Sequence, residues 1–203
     1  MVGYIQKKER LRSFNTEETP RHQENTFPDE LVWDEFRKGS ESAFIAIYNK
    51  FFQILYNYGR QLSGDKELIK DCIQNTFITI RTSRRKLPAV LSVQAYLLKS
   101  FRYNLLRELK KNKKNTSHED APLDFDLQAS AEHILIEKQI QESQIRKMEE
   151  SINQLSLRQK EAIYYYYYNN LTYLEIKDIM GFKSIEATRN LLYRAITTLR
   201  KFF

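Results

Sequence analysis

Between Ser92 and Lys114, cations and tyrosines recur at helical spacing. At about 100° per residue, Tyr96, Lys99, Tyr103, Arg107, Lys110 and Lys114 fall on one side of a helix over about 27 Å, and Leu97, Leu98, Phe101, Leu105 and Leu109 fall on the other. Ammonium and guanidinium groups attract phosphates, and tyrosine rings give unstacked bases a surface to stack on. The stripe therefore has the chemistry of a ridge for single-stranded nucleic acid. The same rings could instead cover hydrophobic edges of the fold. A second separation follows Ser184, where Glu186, Arg189, Asn190, Tyr193, Thr197 and Arg200 share one side, flanked by Arg194. Ile185, Thr188, Leu191, Leu192, Ala195, Ile196 and Leu199 gather opposite. Arg, Asn and Thr reach base edges and phosphates in a duplex major groove, although a solvated amphipathic helix has the same pattern. A third face, Glu67, Asp71, Gln74, Asn75 and Ile78, is polar, barely basic and carries one outward isoleucine. It suits a protein partner better than DNA, or plain solvent.

These faces need helices to carry them. From about Leu31 to Lys114, Phe44, Ile47, Tyr48, Phe51, Leu55, Tyr58 and Leu62 form one apolar stripe, and Ile69, Ile73, Phe77 and Ile80 form the next. Ser63-Gly64-Asp65 and Leu87-Pro88 punctuate them. Farther on, Thr172-Tyr173-Leu174-Glu175 has the spacing of a capping box, in which Thr172 and Glu175 satisfy each other's free backbone donors. Ile176, Ile179 and Met180 supply a buried side, Gly181 closes the short helix, and Ser184 caps a longer one. A short helix, a tight glycine turn and a long helix make a helix-turn-helix. The Tyr164–Tyr168 run circles a helix and reads as core and interface packing.

The expected fold is all-α: two small helical domains joined by an acidic linker, the C-terminal one a helix-turn-helix. The expected boundaries are a tail over 1–29, a first domain over 30–114, a linker and lead-in helix over 115–148, and a second domain over 149–203. Charge follows these boundaries. Arg81 to Lys114 holds eleven Lys and Arg against one acidic residue, residues 115–150 hold nine acidic against three basic, and residues 181–203 hold five basic against one acidic. Two basic bodies around an acidic connector suit a chain that grips nucleic acid in two places. Five Gly and four Pro in 203 residues are too few for a sandwich or barrel. A single cysteine, Cys72, excludes an intrachain disulfide framework and a cysteine-cluster zinc site, and points to a reducing cytoplasm. The residues MVGYIQKKERLRSF lack the apolar segment export requires, and no stretch is long enough to span a membrane. His22, His118 and His133 are scattered without partners, so neither catalysis, a cofactor nor a metal site is expected.

Taken as a set, the residues resemble the extracytoplasmic-function sigma factors of bacterial RNA polymerase. In the first half the resemblance rests on Trp33, Phe36, Gly39, Ala43, Phe44, Tyr48, Leu55 and Tyr56, on Asp71-Cys72-Ile73-Gln74-Asn75-Thr76-Phe77, on Ala95-Tyr96-Leu97 and on Arg102-Tyr103-Asn104. In the second it rests on Leu155, Arg158-Gln159-Lys160-Glu161, Leu171, Glu175-Ile176, Gly181, Leu199-Arg200 and Thr188-Arg189-Asn190-Leu191-Leu192-Tyr193-Arg194-Ala195. The last wording is similar to members from Bacteroidetes. Departures are Arg81 where many members have Trp, Glu108 where many have Asp, and Ala187-Thr188 in place of a commoner Thr-Val pair.

The resemblance implies a chain that is not an enzyme and that binds core RNA polymerase through Asp71, Gln74, Asn75 and Ile78. It implies that the loop from Arg84 to Ser92, and the helix with Tyr96, Lys99, Tyr103, Asn104, Arg107 and Lys110, melt and hold the minus-ten element of promoter DNA. It assigns Glu186, Arg189, Asn190, Tyr193, Arg194 and Thr197 to the minus-thirty-five duplex. A membrane-anchored anti-sigma factor is the implied partner. Two other readings remain: a dimeric helix-turn-helix regulator whose first half senses or dimerises, and an RNA-binding module that uses only the cation and tyrosine stripe.

Overall fold

Local capping chemistry sets the ends of most of the eight α-helices found among the described residues. The computed structural model describes residues 28–115, 125–127 and 142–201. The expected tail up to residue 27, and all of the expected linker between 116 and 141 except 125–127, lie outside them. Helix α1 (Asp29–Lys38) has acidic residues in its first turn and Arg37 and Lys38 in its last, which complements the helix dipole. It stops at Gly39, whose φ of 109° a side chain would disfavour. Ser40 caps α2 (Glu41–Leu62) by accepting the Ala43 amide at 3.2 Å. Asp65 caps α3 (Lys66–Thr82) by accepting the amides of Glu67 and Leu68. A 3-10 turn, Arg84–Lys86, opens the loop that leads into α4 (Val93–Asn115).

In the second half, α5 (Glu142–Asn153) is followed by α6 (Leu157–Ile163), which a Ser156–Gln159 capping box starts. The five tyrosines Tyr164–Tyr168 continue α6 as a π-helical turn. The Thr172–Glu175 capping box starts α7 (Tyr173–Met180), and Gly181, at φ 68°, ends it. Ser184 then caps α8 (Ile185–Arg200), which completes the expected helix-turn-helix.

Trp33, Phe36, Phe51, Leu55, Ile69, Ile73, Leu97, Leu98 and Phe101 fill the first half, each almost fully buried. Helices α2, α3 and α4 pack most closely at Gly59, where an added Cβ would lie 2.7 Å from Cγ2 of Ile69 and 3.1 Å from the ring of Phe101. Ile69 is itself fully buried and β-branched, so it has no room to yield. Gly59→Ala is therefore expected to destabilise the fold. Overpacking costs about 1–3 kcal/mol, against the roughly 0.5–1 kcal/mol that alanine gains in a helix. Chemical denaturation of the variant checks this, and a higher midpoint than wild type would contradict it.

The second half buries Ile176, Ile179, Leu192 and Ala195 of the helix-turn-helix under α6. The two halves then meet. Helix α4 packs on α7, and the ring of Tyr58 stacks on Tyr165 at 5.4 Å. The stretch read from sequence as an exposed linker contributes to this joint, which corrects that expectation. Phe125 is fully buried, 5.8 Å from Tyr58 and 5.5 Å from Tyr164, and the Asp126 amide donates to the carbonyl of Gln61 at 2.7 Å. One aromatic residue inside an acidic run has more to gain from burial than the carboxylates lose.

Candidate nucleic-acid interface

Helix α4 presents the expected ridge, but its two tyrosines differ. Tyr103 is 68% exposed, and Lys99, Arg107 and Lys110 stand free of the core around it. Tyr96 is half-buried with its ring 5.2 Å from Trp33, and burial raises its hydroxyl pKa. It covers a hydrophobic edge, whereas Tyr103 offers an open ring. Asn104 is half-buried and donates from Nδ2 to Oγ1 of Thr76 at 3.0 Å, and that hydroxyl donates to the carbonyl of Cys72 at 2.8 Å. Asn104 thus ties α4 to α3 at the base of the ridge. The side chain of Lys114 lies outside the described residues.

Beside the ridge, the loop after α3 is held from below by α1. Trp33 donates from Nε1 to the carbonyl of Pro88 at 3.0 Å, and Arg37 donates from Nε to the carbonyl of Leu87 at 2.8 Å. Leu91 is left 82% exposed at the loop's far end. Thr82, Ser83, Arg84, Arg85 and Lys86 line one open concavity, and Asp34, Arg37, Lys38 and Arg85 line another next to it. Arg37 and Lys38 are absent from the sequence-derived set. Their position in the last turn of α1, just before Gly39, is the signal that could have found them, but only the folded loop brings them beside Arg85. Arg81 is engaged elsewhere, with Glu41 at 2.8 Å and over the ring of Phe44 at 5.2 Å.

On α8 the six sequence-derived residues Glu186, Arg189, Asn190, Tyr193, Arg194 and Thr197 are all exposed, while Thr188, Leu192, Ala195 and Ile196 are buried. Arg189 lies 5.5 Å over the ring of Tyr173, which stacks on Tyr166 at 5.3 Å. This aromatic platform orients the guanidinium outward from the start of the helix. Hydrogen bonds from its own backbone amide and from Ser184 lower the Glu186 carboxyl pKa, so it remains charged at the helix N-terminus. Thr197 donates to the carbonyl of Tyr193 at 2.8 Å, so its hydroxyl hydrogen is turned to its own helix. Arg158 fixes the turn, donating to the carbonyl of Met180 at 3.1 Å and lying 4.6 Å over the ring of Phe182.

The α3 face is also open. Asp71, Gln74 and Asn75 are exposed, and Ile78 is 51% exposed. Along its margin α2 contributes Ile45 and Tyr48, both partly exposed, with the Tyr48 ring 4.8 Å from Phe77. The sequence pattern placed Tyr48 in the buried stripe, whereas the structure leaves it at the rim of an apolar margin. The mixed polar and apolar character is that of a protein-binding patch.

The architecture is that of an all-helical, two-part protein ending in a helix-turn-helix. Residues 151–201 match the family described as Sigma-70, region 4. No curated protein sequence matches the chain. Among solved structures, the fold is similar to that of CnrH in complex with the cytosolic domain of CnrY, with a TM-score of 0.58 and 13% identity over 85% of this chain and 95% of that one. It is also similar to the sigma factor RpoE co-crystallised with the anti-sigma factor NepR from Bartonella quintana. There the TM-score is 0.57 and the identity 17%, over 78% of this chain and 95% of that one. At these identities the likeness is one of fold.

Proposed function

We propose that the chain is an RNA polymerase sigma factor of the extracytoplasmic-function type, which binds core polymerase and directs promoter recognition, melting and initiation. The observation that carries this reading is the match of residues 151–201 to Sigma-70 region 4, on a helix-turn-helix whose second helix leaves Arg189, Asn190 and Arg194 exposed. The open Tyr103 ring among Lys99, Arg107 and Lys110, and the basic loop beside it, support a site for melted DNA in the first half. Bases leaving the duplex cost a few kcal/mol of unstacking, which aromatic stacking and charge neutralisation offset. Binding through so many cations weakens steeply with salt. The chain supplies no catalytic chemistry in this scheme; the polymerase does.

The partners are core polymerase, promoter DNA and, by analogy with the RpoE–NepR pair, an anti-sigma factor, which the Bacteroidetes-like wording of α8 makes membrane-anchored. No helix among the described residues is long and apolar enough to cross a membrane. The place of action is the cytoplasm, where polymerase and promoter are.

Run-off transcription with purified core polymerase and a promoter library tests the proposal. Core-dependent initiation on a subset of templates is expected. Tight binding to duplex DNA without polymerase, and no initiation on any template, would favour the dimeric regulator instead. A narrower test addresses the α3 face. Asp71→Ala with Gln74→Ala is expected to weaken core binding by about tenfold while leaving the thermal midpoint unchanged, since both side chains are exposed. Competition for core against a labelled sigma factor measures the first quantity and circular dichroism the second.

A further inference from the structure

Arg102, one residue before the open Tyr103, turns toward the other half of the chain. Its Nε and Nη2 donate to the two carboxylate oxygens of Glu161 on α6 at 2.8 and 2.9 Å. The Tyr58 hydroxyl of α2 donates to the same carboxylate at 2.5 Å. Glu161 is fully buried, whereas the Arg102 side chain keeps 20% of its surface in solvent. Gln94 of α4 adds a bond of 3.3 Å to the carbonyl of Asn169. All these bonds cross the joint between the halves. The cores on either side, around Trp33 and Leu97 in one and Ile176 and Leu192 in the other, are built from other residues.

We propose that Glu161, Arg102 and Tyr58 form a latch that holds the two halves together in the free protein and releases when both engage one promoter. The chemistry suits a reversible joint. A buried ion pair fixes geometry but adds little net stability, because each charge regains its hydration on separation. Apolar side chains in the same place would resist opening. Two DNA elements named for positions minus ten and minus thirty-five are separated by about 80 Å of duplex at 3.4 Å per base pair. A folded chain of this size has a radius of gyration of only about 17 Å. With α4 packed on α7, the ridge and α8 cannot reach both elements at once. The chain from residue 116 to 141 can extend to roughly 85 Å, sufficient once Phe125 leaves Tyr58. This need to open rests on the sigma-factor reading; the closed joint does not.

The test is single-molecule energy transfer in the full chain, with dyes on cysteines replacing the exposed Lys66 and Lys183. Cys72 is buried and its thiol pKa is pushed up to about 11, so it escapes labelling. Wild type without DNA is expected to give one short distance. Arg102→Glu, which sets a carboxylate against Glu161, is expected to raise a long-distance population roughly tenfold or more. Tyr58→Phe, which keeps the ring, should raise it less. Recovery of the short distance in the R102E/E161K pair would support the ion pair as the cause. A wild-type chain already spread over long distances would overturn the latch, as would both single variants matching wild type with helical content intact. None of these readings uses polymerase, so a chain that fails run-off transcription but shows the distance shift loses the sigma reading and keeps the latch.

Discussion

Arg189→Ala combined with Asn190→Ala is expected to erase selection of the upstream promoter element while core affinity stays intact. Both side chains are exposed on the outer face of α8, at the end nearest the turn. A side chain that bonds a base edge with two donors or acceptors discriminates by about 1–3 kcal/mol, so losing two amounts to about a hundredfold or more in preference. The variant also loses the contact between Arg189 and the ring of Tyr173, but at an exposed site this is worth about 0.5–1 kcal/mol and does not unfold the domain. The measurement compares initiation on paired templates that differ only in the upstream element. Unchanged preference, with initiation still dependent on core, would remove α8 from promoter reading. Arg194→Ala, which flanks the face, should lower binding across all sequences and reduce its salt dependence.

The largest stability effect is expected at Trp33. Its side chain is fully buried between Phe36 and Tyr96, with ring centroids 5.4 and 5.2 Å away. Trp33→Ala is expected to cost about 3–5 kcal/mol, and a chain of this length loses about 2–4 °C of Tm for each kcal/mol. A fall of about 10 °C or more should be visible in a thermal melt. Trp33→Phe separates packing from the loop. It retains most of the apolar bulk but removes the Nε1 donor, so the Pro88 carbonyl loses its partner. That variant should melt within a few degrees of wild type yet open minus-ten DNA less well, as read by permanganate reactivity of unpaired thymines. Equal opening by both proteins would show that the loop does not need its support from α1.

Much of this architecture was legible in the chain because caps and faces are local properties. The Thr172–Glu175 box, Gly181 and Ser184 announce the helix-turn-helix within a few residues of one another, and they sit in the structure where that chemistry places them. The outward residues of α8 could be named from angle alone. Angle could not separate Tyr96 from Tyr103. They lie on the same side of α4, and only Trp33, more than sixty residues away in sequence, decides that one is covered. Phe125 was hidden for a similar reason, since its burial depends on rings from α2 and the tyrosine run. Glu161 had a local signal that went unused: a carboxylate leading into Ala162, Ile163 and Tyr164 cannot be buried without a charged or hydrogen-bonding partner. The partner's identity was a long-range fact. The Tyr164–Tyr168 run defeats periodicity altogether, because five identical side chains carry no pattern to phase.

That run has a mechanical consequence. A π-helical turn closes its hydrogen bonds one residue later than an α-helix, so it acts as a one-residue insertion in the rod that begins with α6. Restoring regular pitch by deleting one tyrosine would rotate everything downstream by about 100°. The azimuth at which Arg189 and Asn190 face outward is therefore set by the number of tyrosines in the run, independently of their chemistry.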